Sequence, residues 1–185
     1  MSGKIPRPAS RRQSEQSASK RVLYMMVKPP AEPLSRIMAL SRTDRGRDAA
    51  LIHMTILPFV DLEEWDAEFI LVLRRVMDGF EAGVFDVCFD RLAERSAVTL
   101  RFGKQQTGAR VLQKLLTAHL EARDFRFFGK TPDPHVTISY RRDGLGNETI
   151  APIDWRVDEI VLVESIYGKA THVEHGRWPL RQRLL

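Results

Sequence analysis

A histidine and a threonine stand two residues apart at two places in this chain. The first pair lies in Ile52-His53-Met54-Thr55-Ile56, the second in Pro134-His135-Val136-Thr137-Ile138. Chance alone puts two such pairs into about one chain in fifty of this composition. In a strand, residues i and i+2 leave the same face, about 6.6 Å apart along the axis. Each His therefore projects beside its Thr. Met54 and Ile56, or Val136 and Ile138, turn the other way, toward a core. Two such faces brought together would surround an anion of phosphate size with two imidazoles and two hydroxyls.

That set suits phosphodiester cleavage. In-line displacement needs a base on the attacking oxygen and an acid on the leaving oxygen, on opposite sides of phosphorus. Imidazole titrates near neutrality, so one ring can be neutral while the other carries a proton. Threonine hydroxyls can donate to the non-bridging oxygens. The two rings would titrate as a coupled pair. No third ligand with metal-site spacing accompanies either His, so the expectation is chemistry without a metal or cofactor.

These pairs need strands beneath them. Arg21 to Val27 reads as a buried strand that stops at Lys28-Pro29-Pro30. Residues 31–42 suit a short helix and 43–48 a polar loop. Leu51 to Leu57 is the strand of the first pair. Asp61 is placed to cap a helix over about 62–80, with Trp65, Phe69, Leu73, Val76 and Phe80 on one face. Val84 to Phe89 and Ala97 to Phe102 read as strands joined by a charged turn. A helix after Thr107 carries Val111, Leu112, Leu115, Leu116 and Leu120. His135 to Tyr140 is the strand of the second pair, followed by a flexible linker, Asp143 to Asn147. Val157 to Ser165 and His172 to Leu180 close the chain as strands. Several strand pairs have short connections, which predicts a mixed or antiparallel α+β fold.

The chain has 185 residues, 43% of them hydrophobic and 29% charged, an ordinary globular composition. No apolar run is long enough to span a bilayer, and no apolar leader opens the chain. The single cysteine, Cys88, excludes an internal disulfide. The expectation is a cytoplasmic monomer with no membrane partner. The net charge of +5 is unevenly spread. Residues 1–20 carry Lys4, Arg7, Arg11, Arg12 and Lys20 against Glu15 alone, so residues 21–185 are nearly neutral. The first 20 residues read as a disordered basic tail, either a bare leader or an arm attracted to phosphate backbones. Residues 21–185 read as the folded domain.

The duplicated motif resembles that of the 2H phosphoesterase superfamily, in particular the 2′-5′ RNA ligase-like, or LigT-like, cyclic phosphodiesterases. The likeness runs through Arg21-Val-Leu-Tyr24, Pro58-Phe59 after the first motif, the late strand Val161 to Ser165 and the closing Arg177-Trp-Pro-Leu180. It implies a bilobal α+β fold of mainly antiparallel sheet. Two pseudo-symmetric lobes would each give one motif to a central cleft, with helices outside. It also implies hydrolysis of 2′,3′-cyclic phosphates on RNA ends or nucleotides and, in some members, reversible 2′-5′ RNA ligation. By motif position, His53 would be the proton donor and His135 the base, with Thr55 and Thr137 binding phosphate. Such ligases often carry Arg five places after the second His. This chain has Tyr140 there, followed by Arg141 and Arg142.

Other residues carry open readings. Tyr24 is either a core aromatic or a cleft residue that stacks on a base. Tyr140 is either a stacking residue or core, and Arg141 either a rim charge or a phosphate ligand. His172 and His175, three apart, fall on opposite strand faces and read as surface or rim residues. His119 reads as exposed and Cys88 as a buried thiol. Two other functions remain open: an RNA-binding module of the same fold with little catalysis, and a phosphodiesterase for a small cyclic-phosphate metabolite.

Overall fold

A computed structural model describes residues 21–59, 67–104, 107–125, 128–130, 132–166 and 169–181. The proposed tail, Asp61 and Trp65 lie outside the described residues.

Among the described residues, eight strands form: β1 (Arg21–Val27), β2 (Met54–Pro58), β3 (Phe85–Glu94), β4 (Val98–Arg101), β5 (Val136–Ser139), β6 (Glu148–Val157), β7 (Glu159–Ile166) and β8 (Thr171–Pro179). Three helices accompany them: α1 (Ala31–Met38), α2 (Ala67–Met77) and α3 (Thr107–Glu121). The strands join one sheet in the order β6-β3-β4-β5-β2-β1-β7-β8. Every neighbouring pair is antiparallel. The fold is α+β, as expected. The sheet divides into two four-stranded halves, β6-β3-β4-β5 and β2-β1-β7-β8. They meet where Met54 of β2 registers with Val136 of β5.

Strand alternation decides which side chains enter the core. Leu23, Met25 and Val27 of β1, Met54 and Ile56 of β2, and Val136 and Ile138 of β5 are buried together. The helices add Ile37, then Ile70, Leu73 and Met77, then Ala109, Leu112, Leu116 and Leu120. Each such large apolar side chain contributes roughly 1.5–3 kcal/mol on burial. α3 lies close over β3, because a Cβ on Gly108 would meet the Phe85 Cβ at 2.6 Å. A second, small cluster of Met26, Val161 and Val163 packs with Tyr24.

α1 belongs to the connection from β1 to β2, yet it reaches the far half of the sheet. It packs against β6, and Arg36 donates to the Pro152 carbonyl. Arg42 then forms a buried knot. Its guanidinium grips both Asp143 oxygens at 2.7 Å and reaches Glu94 at 2.9 Å and the Gly146 carbonyl at 2.8 Å. Glu94 in turn accepts from the Gly144 and Gly146 amides. The stretch 143–147, expected to be a flexible linker, is therefore tied at several backbone positions.

Other expectations change. β6 was not foreseen. Ile153, Trp155 and Val157 alternate inward along it, but Pro152 and the polar residues before it obscure the pattern. The buried face of α2 centres on Ile70, Leu73 and Met77, with Phe69 and Val76 beside it. Val111 is 48% exposed, because it lies on the outer flank of α3. His119 is half-buried, not exposed. Its Nε2 donates to the Val76 carbonyl at 2.7 Å and joins α3 to the end of α2. Cys88 is only half-buried: Val87 and Phe89 take the core face, so the residue between them takes the other. Burial, with Asp154 and Asp90 nearby, still pushes its thiol pKa up.

Candidate active site

β2 and β5 are neighbours at the centre of the sheet, and they run antiparallel about the Met54–Val136 pair. Carried one residue either way, that register sets His53 beside Thr137 and Thr55 beside His135. Met54 and Val136 face the core, so all four polar side chains take the opposite face. There they line a single cleft of about 790 Å³. The two motifs, 82 positions apart in sequence, meet with twofold-like geometry.

Each histidine sits one residue before its strand begins, rather than within it. This leaves room for a local tether. His53 Nδ1 donates to the Leu51 carbonyl at 2.7 Å, and His135 Nδ1 donates to the Asp133 carbonyl at 2.7 Å. A carbonyl only accepts, so Nδ1 carries the hydrogen in both rings. Nε2 is left as the nitrogen for proton exchange.

Each tether is itself anchored. Leu51 ends a 3₁₀ turn, Ala49–Leu51, whose N-cap Asp48 accepts from the Ala50 amide at 2.9 Å. Asp133 is held by Arg101 at 2.8 Å and by Arg110 of α3. Gln113, buried on α3, donates to the carbonyls of Ile56 and Pro132, at 3.2 and 2.9 Å. It thereby links β2 to the segment that leads into His135.

Burial governs the proton affinity of these rings. It pushes His53 down from 6.5 to about 4. The Leu51 hydrogen bond opposes that shift, while His172, Arg47 and Lys28 reinforce it. Burial also lowers His135, where the Asp133 hydrogen bond opposes and Arg101 reinforces. Both imidazoles are neutral in the resting protein at pH 7.

The other candidate binding residues, Tyr24, Tyr140 and Arg141, also reach the cleft. Tyr24 is half-buried along its wall, where it also packs against Met26, Val161 and Val163. Tyr140 is 68% exposed at the rim, not core, and Arg141 is exposed beside it.

Two cleft residues were missed. His172 lines the wall, with its ring edge-on to that of His53 and the centroids 5.2 Å apart. Burial lowers its pKa first of all, Lys28 and Arg47 assist, and the Ala50 carbonyl opposes. His172 and His175 do take opposite faces, but neither is a plain surface residue. His175 donates from Nε2 to the buried Glu164 at 2.8 Å, and Glu164 also accepts from Arg21. A bulge opposite Leu162 and Val163 shifts the register of β8 between them. Arg47 is the second: its guanidinium carbon stands 5.1 Å from the centre of the Tyr140 ring. No local pattern marks either residue, since each gains its role from a partner far away in the chain. Among the described residues, no group of three or more His, Cys, Asp or Glu side chains is arranged to hold a metal ion.

A family model described as the 2′-5′ RNA ligase superfamily matches residues 26–167. Solved structures share the fold. E. coli LigT complexed with 3′-AMP superposes with a TM-score of 0.71 at 20% identity, over 88% of this chain and 99% of that one. A structure described as a phosphoesterase gives 0.68 at 21%, over 88% and 99%. The TT0787 protein of Thermus thermophilus gives 0.66 at 16%, over 88% and 100%. Among curated proteins, none matches the chain significantly.

Proposed function

The chain belongs to the 2′-5′ RNA ligase superfamily, and from that premise we propose that it is a cyclic phosphodiesterase. Its substrates are 2′,3′-cyclic phosphate ends of RNA or nucleotides, and 2′-5′ RNA ligation is a second activity. One observation carries the reading. Two imidazoles, each tethered through Nδ1 to the carbonyl two residues back, line one cleft from adjoining strands. The four structures of E. coli LigT with 3′-AMP, phosphate, ATP and NADP+ support a phosphate-bearing nucleotide as the ligand.

His135, neutral at rest, accepts a proton from the attacking water at Nε2. The water oxygen bonds to phosphorus, and the bond to the 2′ or 3′ oxygen breaks. His53 gives its Nε2 proton to that leaving oxygen. The protons balance, and an imidazolium and a neutral ring exchange roles. Thr55 and Thr137 donate to the non-bridging oxygens, where charge redistributes. His53 begins neutral, so it takes up its Nε2 proton from solvent as the substrate binds: a phosphodiester anion beside the ring favours the charged form. Tyr24 and Tyr140 stack on the base, and Arg141 approaches the phosphate. No metal is required for these steps. The reading places the protein in the cytoplasm, in keeping with its lone cysteine.

The test is turnover of 2′,3′-cyclic nucleotides and of a short RNA with a cyclic end. His53→Ala and His135→Ala should each abolish turnover. The double variant should be no worse than the poorer single one, because the two rings act as one unit. Chelator should change nothing. Full activity in either single variant refutes the assignment. RNA binding with steep salt dependence and no product would reveal a binding module instead. The near-neutral charge of residues 21–185 favours a small cyclic-phosphate metabolite as a second reading. A kcat/KM higher for small cyclic phosphates than for RNA ends would select it.

A further inference from the structure

We infer that Arg47 binds the anionic phosphoryl group of the ligand and that Tyr140 positions it. The inference rests on the reading of this cleft as a phosphate pocket and names the residue that supplies its charge.

Such a pocket needs positive charge, and its motifs provide none at rest, because burial keeps His53, His135 and His172 neutral. The cations that line the cleft are Arg45, Arg47 and Arg141. Arg45 and Arg141 are exposed and Arg47 is half-buried. The acids on the same wall have other work. Asp48 caps the Ala49–Leu51 turn. Asp44 accepts from Ser139 Oγ at 2.7 Å and from the Tyr140 amide at 3.3 Å.

Those Asp44 contacts also explain how Arg47 is aimed. They fasten the loop before β2 to the end of β5, with the Asp44 amide donating to the Ile138 carbonyl at 3.2 Å. The chain then turns back, with the Arg47 amide donating to the Asp44 carbonyl at 3.1 Å. Gly46 permits this turn with a φ of +80°, a region most residues avoid. The turn brings the Arg47 guanidinium over the ring of Tyr140. An arginine on an aromatic face keeps its charge while its fork stays open to oxygen acceptors.

One atom shows that the resting arrangement is incomplete. Arg47 Nε is shielded from solvent and has no hydrogen-bond partner among the described residues. A buried donor without an acceptor is costly, and an oxyanion entering the cleft would satisfy it. Tyr140 occupies the position five after the second His. Arg47, on the loop across the cleft, adds a half-buried permanent charge to the exposed ones of Arg45 and Arg141, with the Tyr140 ring as its platform.

The experiment is calorimetric titration with inorganic phosphate, 3′-AMP and adenosine. Arg47→Ala should weaken phosphate and 3′-AMP about 10- to 100-fold and leave adenosine unchanged. Arg47→Lys should restore part of the loss, as a charge without the fork. For inorganic phosphate, which has no base to stack, Tyr140→Ala should reproduce the arginine loss and Tyr140→Phe should not. For the same probe, the Arg47→Ala/Tyr140→Ala double variant should fall no further than the worse single one. Wild-type phosphate affinity in Arg47→Ala overturns the inference. So does an equal loss for adenosine, which would place the guanidinium on the base. Turnover separates this claim from the one beneath it. Arg47-dependent phosphate binding without turnover of cyclic nucleotides refutes the catalytic reading alone. Turnover with binding indifferent to Arg47 refutes this inference alone.

Discussion

The rings of His53 and His172 meet edge to face, with centroids 5.2 Å apart and planes inclined by 64°. The two residues come from the entrance to β2 and from β8, and both line the cleft. Two imidazoles this close cannot both take a proton cheaply. Arg47 and Lys28 add positive potential at both rings. The proton on His53 is thus a property of the pair and of the anion that enters the cleft.

The first prediction tests that coupling. His172→Ala removes a ring that buries His53 and a charge that repels its proton. Both changes act in the same direction, so the His53 pKa should rise from about 4. His172→Phe keeps the ring contact and removes only the charge, so it should give a smaller rise. Histidine side-chain NMR titrations of the three proteins measure this. If His53 titrates unchanged in both variants, the coupling is wrong.

The second prediction concerns acid stability. A histidine held neutral by burial has a folded pKa below its unfolded value. The unfolded chain therefore binds the extra proton first as pH falls below about 6.5. Stability should be fully present above that pH and decline toward about 4, by up to about 3 kcal/mol from His53 alone. His53→Gln should flatten the decline in urea unfolding measured between pH 7 and 5. That window lies above the titration of Glu164, whose pKa is held below the usual carboxylate range: burial opposes this, and the hydrogen bonds from Arg21 and His175 outweigh it. An unchanged slope would show that His53 is not buried as described.

The Arg42 knot carries a third. The Arg42 side chain is 2% exposed and that of Glu94 is 8% exposed. Arg42→Ala strands a buried carboxylate, which costs about 3–5 kcal/mol. Asp143→Asn should cost far less, since Asp143 is more open to water. Hydrogen exchange should also quicken at the Gly144 and Gly146 amides in Arg42→Ala. Equal protection with and without Arg42 would show that the knot is not what holds this loop.

The fourth is steric. Gly108→Ala drives a Cβ into Phe85 at 2.6 Å. α3 must then lift from β3, at a cost of about 1–3 kcal/mol despite alanine's better helix propensity. Gln113 on the same helix links β2 to the segment before His135. Turnover should therefore fall along with stability. A stabilised Gly108→Ala protein would show that the packing here is looser than drawn.

The two His-Thr pairs, the inward turn of Met54, Ile56, Val136 and Ile138, and most strands were legible along the chain. Each depends on a period of two between near neighbours, and that period is written in the order of residues. Cys88, His119 and Val111 were misjudged for a related reason. Side-chain type suggested burial or exposure, but the face each residue occupies is set by what packs against it. β6 was hidden because its alternation begins only after a proline.

Other matters were decided only when distant segments met. That β2 and β5 lie side by side, that His172 joins the cleft while His175 meets Glu164, and that Arg47 reaches Tyr140 all depend on contacts across long stretches of chain. The lowered proton affinity of His53 has the same origin, since water is excluded by residues from several elements at once. The order of residues determined which groups could do chemistry here. Packing between remote strands decided which of them share a cleft and how strongly each holds its proton.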